Sequence, residues 1–273
     1  LTHYGIAPLP TETIVDGALM NSGAVVDAIM ELVATNKVRS KEVAVSVSGH
    51  SVIIKKIPLP KMTPEELDES IQWEAEQFIP FDINDVNIDV QIVRPETEVQ
   101  NQMEVILVAA KKDMINDYTA VVSEAGLETM ICDVDVFAIQ NMYEQNYNPR
   151  NDETIVLINT GASVTNINII AEGIPTFTRD ISIGGNQYSE ELQKQLNIGY
   201  EEAEALKLGG SAKDKDAVVP HEVEKVLQLV SENVTSEIQR SLDFYAATST
   251  DKPISKIYLV GGSSRLPSLQ RAI

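Results

Sequence analysis

The stretch TIVLINTGASVTNINII, from Thr154 to Ile170, joins two apolar runs through a turn that contains Gly161. Runs of β-branched residues bounded by Gly, Asn and Ser are typical of β-strands. The sequence therefore predicts strands at Thr154–Asn159 and Val164–Ile170, and a third at Ile174–Ile183 after a second glycine-containing turn. Three consecutive strands with short connections predict an antiparallel meander.

Helices follow this meander along the chain. Apolar residues at helical spacing predict helices at Asn186–Leu196, at Glu201–Leu208 and after Pro220. A last strand, Lys256–Val260, leads into Gly261-Gly262. Strands in series combined with a strand that follows helices predict a mixed sheet covered by helices.

The first half of the chain shows similar signals. Thr63, Pro64 and Glu66 form the pattern of a capping box, which predicts a helix from this point to about Gln77. Gly49 separates the β-branched runs Val43–Ser48 and Val52–Ile57, and this arrangement predicts a β-hairpin.

Composition limits the possible functions. The chain has 273 residues, 43% hydrophobic residues and a formal net charge of -20, which excludes a disordered protein and disfavours nucleic acid, whose binding depends on Lys and Arg. The single cysteine, Cys132, allows no internal disulfide, as expected for a cytoplasmic protein. No apolar run approaches the roughly 20 residues that cross a bilayer, so we expect another protein to bring this one to a membrane.

Two kinds of motif in the second half could carry chemistry. Three glycine turns follow strands at Gly161, Gly184-Gly185 and Gly261-Gly262, and such turns allow a phosphate to approach the backbone closely. Glu204 and Lys207 share a helix face and could contact a ribose and a base. Taken singly, each glycine could serve its turn alone, and the charged pair could be an ordinary surface ion pair.

The order of these motifs resembles the second domain of the ATPase superfamily of actin, heat-shock chaperones and sugar kinases. Within it the sequence is most similar to the PilM family of type IV pilus assembly proteins, relatives of the cell-division protein FtsA. The stretches that carry the resemblance are Ile57–Met62, Glu74–Phe81, Val108–Lys112, Ala125–Leu127, Thr178–Ile181 and Gly184-Gly185.

This resemblance implies an α/β, actin-like (ribonuclease-H-like) two-domain ATPase fold with an inserted subdomain of the FtsA and PilM type. The implied bounds are 1–152 for the first domain, about 43–126 for the subdomain within it, and 153–273 for the second, nucleotide-binding domain. Because the sequence starts at Leu1 in what resembles a third strand and stops at Ile273 inside a helical segment, we expect truncation at both ends and a missing first phosphate loop.

The resemblance also implies the ligands ATP and Mg²⁺. It places Asn159, Gly161, Ala162, Ser163 and Thr165 in the second phosphate loop, Gly185 near the nucleotide, Glu204 and Lys207 at the ribose and base, and Gly261, Gly262 and Ser263 at the adenosine and α-phosphate. Asn159 stands where the superfamily usually has Asp, and an amide brings no negative charge to order hydrated Mg²⁺. We therefore expect ATP binding with weak or absent hydrolysis, and we assign no catalytic residue and no protein ligand to a metal.

By the same resemblance, the protein belongs on the cytoplasmic side of the inner membrane, in pilus assembly and twitching motility. The implied partners are the N-terminal tail of a PilN-like membrane protein and other proteins of the assembly platform. Residues 64–98 contain eleven acids and one base, Arg94, and form either a solubilising face or a docking surface for a segment with Arg or Lys. Two alternatives remain open: a phosphotransferase of the same superfamily, and an FtsA-like filament former tethered to the membrane by its own helix.

Overall fold

The computed structural model describes residues 2–15, 17–97, 99–147, 150, 152–209, 221–249 and 252–273. The chain divides into two compact units, Leu1–Gln145 and Asn146–Ile273. The finer domain bounds implied by the family resemblance, including the subdomain at about 43–126, stay a prediction.

The first unit mixes short sheets with helices. In chain order its elements are β1 (Ile14–Val15), β2 (Ala18–Leu19), α1 (Ser22–Thr35), β3 (Glu42–Val47), β4 (Val52–Pro60), α2 (Pro64–Glu76), β5 (Val86–Arg94), β6 (Gln102–Lys111), α3 (Lys112–Glu124), β7 (Glu128–Val134) and α4 (Asp135–Tyr147).

Helix α2 and a three-stranded antiparallel sheet, in the order β4-β6-β5, form a core of their own. Leu67, Ile71 and Ala75 of the helix share that core with Val105 and Leu107 of β6. All five side chains are buried, which follows from a helix with one apolar stripe lying on the apolar face of a sheet.

The predicted hairpin between β3 and β4 is wrong. Gly49 does form a turn, in which the Val52 N–H donates to its carbonyl at 3.0 Å. However, β3 pairs in parallel with the distant strand β7, while β4 pairs with β6. The start of β4 still packs against the cluster that contains Val47, through Val52 and Ile54, but its later residues Ile57 and Leu59 are buried under α2, where β4 pairs with β6.

The second unit consists of one four-stranded sheet with helices. Its elements are β8 (Thr154–Thr160), β9 (Thr165–Ala171), β10 (Ile174–Ile181), α5 (Gly185–Leu196), α6 (Tyr200–Lys207), α7 (His221–Thr248), β11 (Ile254–Val260) and α8 (Pro267–Ala272). The strand order is β10-β9-β8-β11, antiparallel except for the parallel pair of β8 and β11. The predicted meander is confirmed.

The two faces of this sheet differ in chemistry. On one face, Ile158 and Ile167 pack in a core with Val230, Val234 and Ile238 of α7. Alternation along each strand puts the next residues on the opposite face, which therefore carries polar side chains at the ends of β8 and β9.

Candidate nucleotide-binding site

Three glycine loops of the second unit meet at the carbonyl oxygen of Gly161. Gly161 opens the turn between β8 and β9, and its own N–H donates to the Val164 carbonyl at 2.9 Å. Its carbonyl oxygen accepts hydrogen bonds from the Gly185 N–H at 2.9 Å and from Ser263 Oγ at 2.9 Å. The structure thus brings together the turn after β8, the start of α5 and the turn after β11, as the order of motifs predicted.

The glycines at this junction leave no room for side chains. A Cβ on Gly184 would lie 2.6 Å from the Ala162 carbonyl oxygen, and one on Gly185 would meet Ser263 Oγ. Gly261 has a φ of 89°, and its Cβ would lie 2.6 Å from Asn159 Oδ1. In contrast, a Cβ on Gly262 would meet nothing within 4 Å. Packing at the junction therefore requires glycine at 184 and 261, whereas a side chain at 185 would displace only the Ser263 hydroxyl and one at 262 would meet nothing.

The turn after β8 offers free N–H groups. The first N–H groups of α5 are engaged by the turn itself, since Gly185 and Asn186 donate to the carbonyls of Gly161 and Ala162 at 2.9 and 2.8 Å. Among the described residues, the backbone N–H groups of Ala162 and Ser163 in this turn donate to no acceptor, and neither does that of Gly184 just before α5. Adjacent unpaired N–H groups in a turn form a concavity that binds anions.

Thr165 and Ser163 have structural partners. The Thr165 hydroxyl donates to the Ile183 carbonyl at 2.7 Å and is buried. Ser163 Oγ accepts from the Asn186 side-chain amide at 3.4 Å. Both side chains tie the turn to the segment that leads into α5.

Glu204 and Lys207 contact the start of α5. The Lys207 ammonium donates to the Gly185 carbonyl at 3.2 Å and to Ser189 Oγ at 3.0 Å, and it pairs with the Glu204 carboxylate. The Lys207 side chain is 10% exposed. Since an ammonium has three N–H donors, all of them are used inside the protein, and only the aliphatic stem of Lys207 is left for other contacts.

Ser189 and Tyr200 complete this cluster. The Ser189 hydroxyl donates to the Glu204 carboxylate, and Ser189 is fully buried. Partial burial, followed by the nearby Glu204 carboxylate, raises the pKa of Tyr200. Ser189 was not among the predicted site residues, although its place one turn after Gly185, on the helix that follows the Gly184-Gly185 loop, was a signal in the sequence.

Asn159 belongs to a row of polar side chains across the sheet. Its Nδ2 donates to Asn166 Oδ1 at 2.8 Å, and Asn166 Nδ2 donates to Asp180 Oδ1 at 2.8 Å. Asn159 faces Asn166 across β8 and β9, and Asn166 faces Asp180 across β9 and β10. Asn166 and Asp180 were not among the predicted site residues, although the alternation Asn166-Ile167-Asn168 in a buried strand is unusual enough to be a signal.

The acidic surface of the first unit centres on α2. Trp73 is 80% exposed, and the exposed Glu69 and Glu76 lie one turn before and after it on the same helix face. The neighbouring Phe78–Phe81 segment packs into the core under α2, with Ile79 buried. Glu98, the last of the eleven acids, lies outside the described residues.

The described residues contain neither a candidate membrane span nor a candidate metal cluster. No helix there is both long and apolar enough to span a bilayer. Nor do three or more His, Cys, Asp or Glu side chains group there in a way that could hold a metal ion.

Comparisons with known proteins agree with this architecture. The model of the type IV pilus assembly protein PilM family matches residues 1–273. Among solved structures, the chain is similar to a PilM-PilN type IV pilus biogenesis complex, with a TM-score of 0.83 and 26% identity over 96% of this chain and 75% of that chain. It is also similar to the ethanolamine utilization protein EutJ from Carboxydothermus hydrogenoformans, with a TM-score of 0.54 and 18% identity over 95% of this chain and 68% of that one. The predicted actin-like α/β fold is confirmed.

Proposed function

Because the chain belongs to the type IV pilus assembly protein PilM family, we propose that it is a nucleotide-binding scaffold of the pilus assembly platform. It acts on the cytoplasmic side of the inner membrane and holds a membrane partner. The observation that carries the nucleotide part of this proposal is the meeting of three glycine loops at the Gly161 carbonyl oxygen.

The residues at this junction fit a nucleoside triphosphate. The free N–H groups of Ala162, Ser163 and Gly184 suit phosphate oxygens, and the glycines let the loops that carry these groups pack closely together. The backbone of Gly261-Gly262 and the aliphatic stem of Lys207 would contact the adenosine. Mg²⁺ bound with the nucleotide would neutralise phosphate charge, and the uncharged Asn159 is the residue that would accept hydrogen bonds from its water shell.

Calorimetry with ATP and Mg²⁺ tests the nucleotide site on the full-length protein. Lys207→Ala should weaken ATP binding by about tenfold, because it removes the aliphatic stem that would pack on the base and the ammonium that holds the Gly185 carbonyl. The matched control is Lys194→Ala on α5, whose side chain is 76% exposed; its affinity should stay within about twofold of the unsubstituted protein.

Two outcomes would contradict this part of the proposal. If the unsubstituted protein does not bind ATP at millimolar concentration, the proposed nucleotide site is wrong. Turnover of about 1 s⁻¹ or faster by the protein alone lies in the ordinary enzyme range, and it would favour the phosphotransferase alternative over the scaffold.

The partner we propose is the short N-terminal cytoplasmic tail of a PilN-like inner-membrane protein. The similar solved structure is itself a PilM-PilN complex. In the present chain, the exposed Trp73 between Glu69 and Glu76 matches a basic tail, since an exposed indole stacks with Arg or Lys and the carboxylates pair with their charge. Binding such a tail would make the protein peripheral to the membrane through its partner.

Trp73 provides a direct test because it is the one tryptophan in the chain. A synthetic tail peptide without tryptophan should shift its fluorescence emission to shorter wavelength as the ring leaves water. Glu69→Gln should weaken peptide binding by about two- to fivefold, whereas Glu232→Gln on the exposed face of α7 should leave it unchanged.

Binding measured by calorimetry without any change in Trp73 emission would show that the tail docks elsewhere. Equal effects of Glu69→Gln and Glu232→Gln would show that general charge, rather than the α2 surface, attracts the peptide.

A further inference from the structure

The row formed by Asn159, Asn166 and Asp180 has a direction. An ionised carboxylate only accepts hydrogen bonds, while a side-chain amide has a donor end and an acceptor end. Asp180 therefore requires the NH₂ group of Asn166 to face it, as the 2.8 Å bond between them shows. Asn166 then has its oxygen left for the neighbour on its other side.

The same reasoning determines the orientation of Asn159. With Asn166 Oδ1 facing β8, the group of Asn159 that meets it must be the NH₂ group, and this bond is 2.8 Å long. The carbonyl oxygen of Asn159 consequently points away from the row. A single carboxylate on β10 thus sets the orientation of an amide two strands away.

The Asn159 oxygen faces the glycine junction. A Cβ on Gly261 would lie 2.6 Å from Asn159 Oδ1, so this oxygen lies against the turn that follows β11. Within the described part of the chain, no donor forms a hydrogen bond with it, and Asn159 is half-buried. A half-buried acceptor without a partner, at the edge of a phosphate-binding turn, is available to a ligand.

We propose that Asp180 is a positioning residue of the nucleotide site, which acts through Asn166 to turn the Asn159 oxygen toward the hydrated cation of a bound nucleotide. This inference rests on the proposed function. It explains how a site with an amide in place of the superfamily's carboxylate keeps a fixed acceptor there: the negative charge lies on β10 and its orienting effect passes through two amides.

Exchanging the two ends of the row tests the inference. Asn159→Asp alone places a carboxylate against Asn166 Oδ1, so two acceptors face each other. The additional substitution Asp180→Asn should rescue it, because Asn166 can then turn round, donate to Asp at 159 and accept from the new amide at 180. The double variant keeps the net charge and reverses the direction of the row.

Thermal unfolding without nucleotide measures this exchange independently of ATP. Asn159→Asp should lower the unfolding midpoint by about 3–10 °C, as expected for a buried acceptor left unpaired, and the double variant should recover most of the loss. Asp180→Asn alone should fold, because asparagine has nearly the same shape as aspartate, and its unfolding midpoint should fall by less than that of Asn159→Asp. Asp89→Asn, an exposed carboxylate on β5, is the matched control and should change little.

Calorimetry then measures the effect of Asp180 on Mg²⁺-dependent ATP binding. Asp180→Asn should reduce the Mg²⁺-dependent part of ATP affinity by about fivefold, since the charge-assisted bond that orients the row is lost, while Asp89→Asn should not. The double variant, with a carboxylate at 159, should regain or exceed the original Mg²⁺ dependence.

The possible failures are distinguishable. If the unsubstituted protein does not bind ATP, the proposed function fails, whatever the unfolding data show. If it binds ATP but Asp180→Asn does not rescue Asn159→Asp, or Asp180→Asn leaves the Mg²⁺ dependence intact, the positioning role of Asp180 is wrong.

Discussion

The Gly161 carbonyl oxygen accepts two hydrogen bonds that join three separate parts of the second unit. A carbonyl oxygen has two lone pairs, so this one atom connects the start of α5 and the turn after β11 to the β8–β9 turn. The glycines around it allow the loops to approach one another closely, since side chains at 184, 185 and 261 would collide with backbone or side-chain oxygens.

Two adjacent glycines give a residue-scale prediction. Gly261→Ala should destabilise the protein by about 1–3 kcal/mol, because alanine is strained at a φ of 89° and its Cβ would meet Asn159 Oδ1 at 2.6 Å. ATP affinity should fall with it. Chemical denaturation and calorimetry on the same variant measure both effects.

Gly262→Ala is the control for this prediction. Its Cβ meets nothing within 4 Å, and the φ of Gly262 is -62°, which any residue adopts. Equal losses in the two variants would mean that the close approach at Gly261 is not what the turn requires.

At the scale of elements, α2 shows how a local signal and tertiary packing support the same helix. Thr63 Oγ1 accepts from the Glu66 N–H at 3.2 Å, and the Glu66 carboxylate accepts from the Thr63 N–H at 2.8 Å. Pro64 opens the helix, and Leu67, Ile71 and Ala75 bury its apolar stripe. The helix that carries the acidic surface is therefore held at its start and along one face.

Loss of the cap should cost a measurable part of this stability. Thr63→Ala should lower the free energy of unfolding by about 1 kcal/mol, because one N–H at the helix start loses its acceptor. Glu66→Gln should cost much less, since glutamine also closes a capping box. Urea denaturation measures both, and a Glu66→Gln variant as unstable as Thr63→Ala would assign the effect to charge at the helix terminus instead.

At the scale of the whole molecule, the net charge of -20 acts on any charged partner. Its field extends over about a Debye length, roughly 8 Å at physiological salt. Raising NaCl from 50 to 500 mM should therefore weaken binding of the basic tail peptide by about tenfold, as expected for two or three exposed ion pairs. A binding constant indifferent to salt would leave apolar contacts as the whole basis of tail binding.

Several elements of this protein follow from the sequence by itself, because they depend on local interactions. The capping box at Thr63, the turn at Gly161 and the β8–β10 meander depend on residues close together in the chain, so their patterns predicted them correctly. The loops at 161, 185 and 261–263 do meet in the structure, and their shared role in nucleotide binding, which the family resemblance implies, stays a prediction.

Long-range pairing was decided by the tertiary structure alone. The turn at Gly49 was predictable, but β3 pairs with β7, more than eighty residues away, while β4 pairs with β6 and buries Ile57 under α2. β7 itself exposes Met130 and Ile131, so it lacks the alternation that marks a strand. Asp180 orients Asn159 through a register across three strands, and Lys207 meets Ser189 through the packing of two helices. Such contacts depend on which surfaces are buried together, and this is a property of the folded chain rather than of any local stretch.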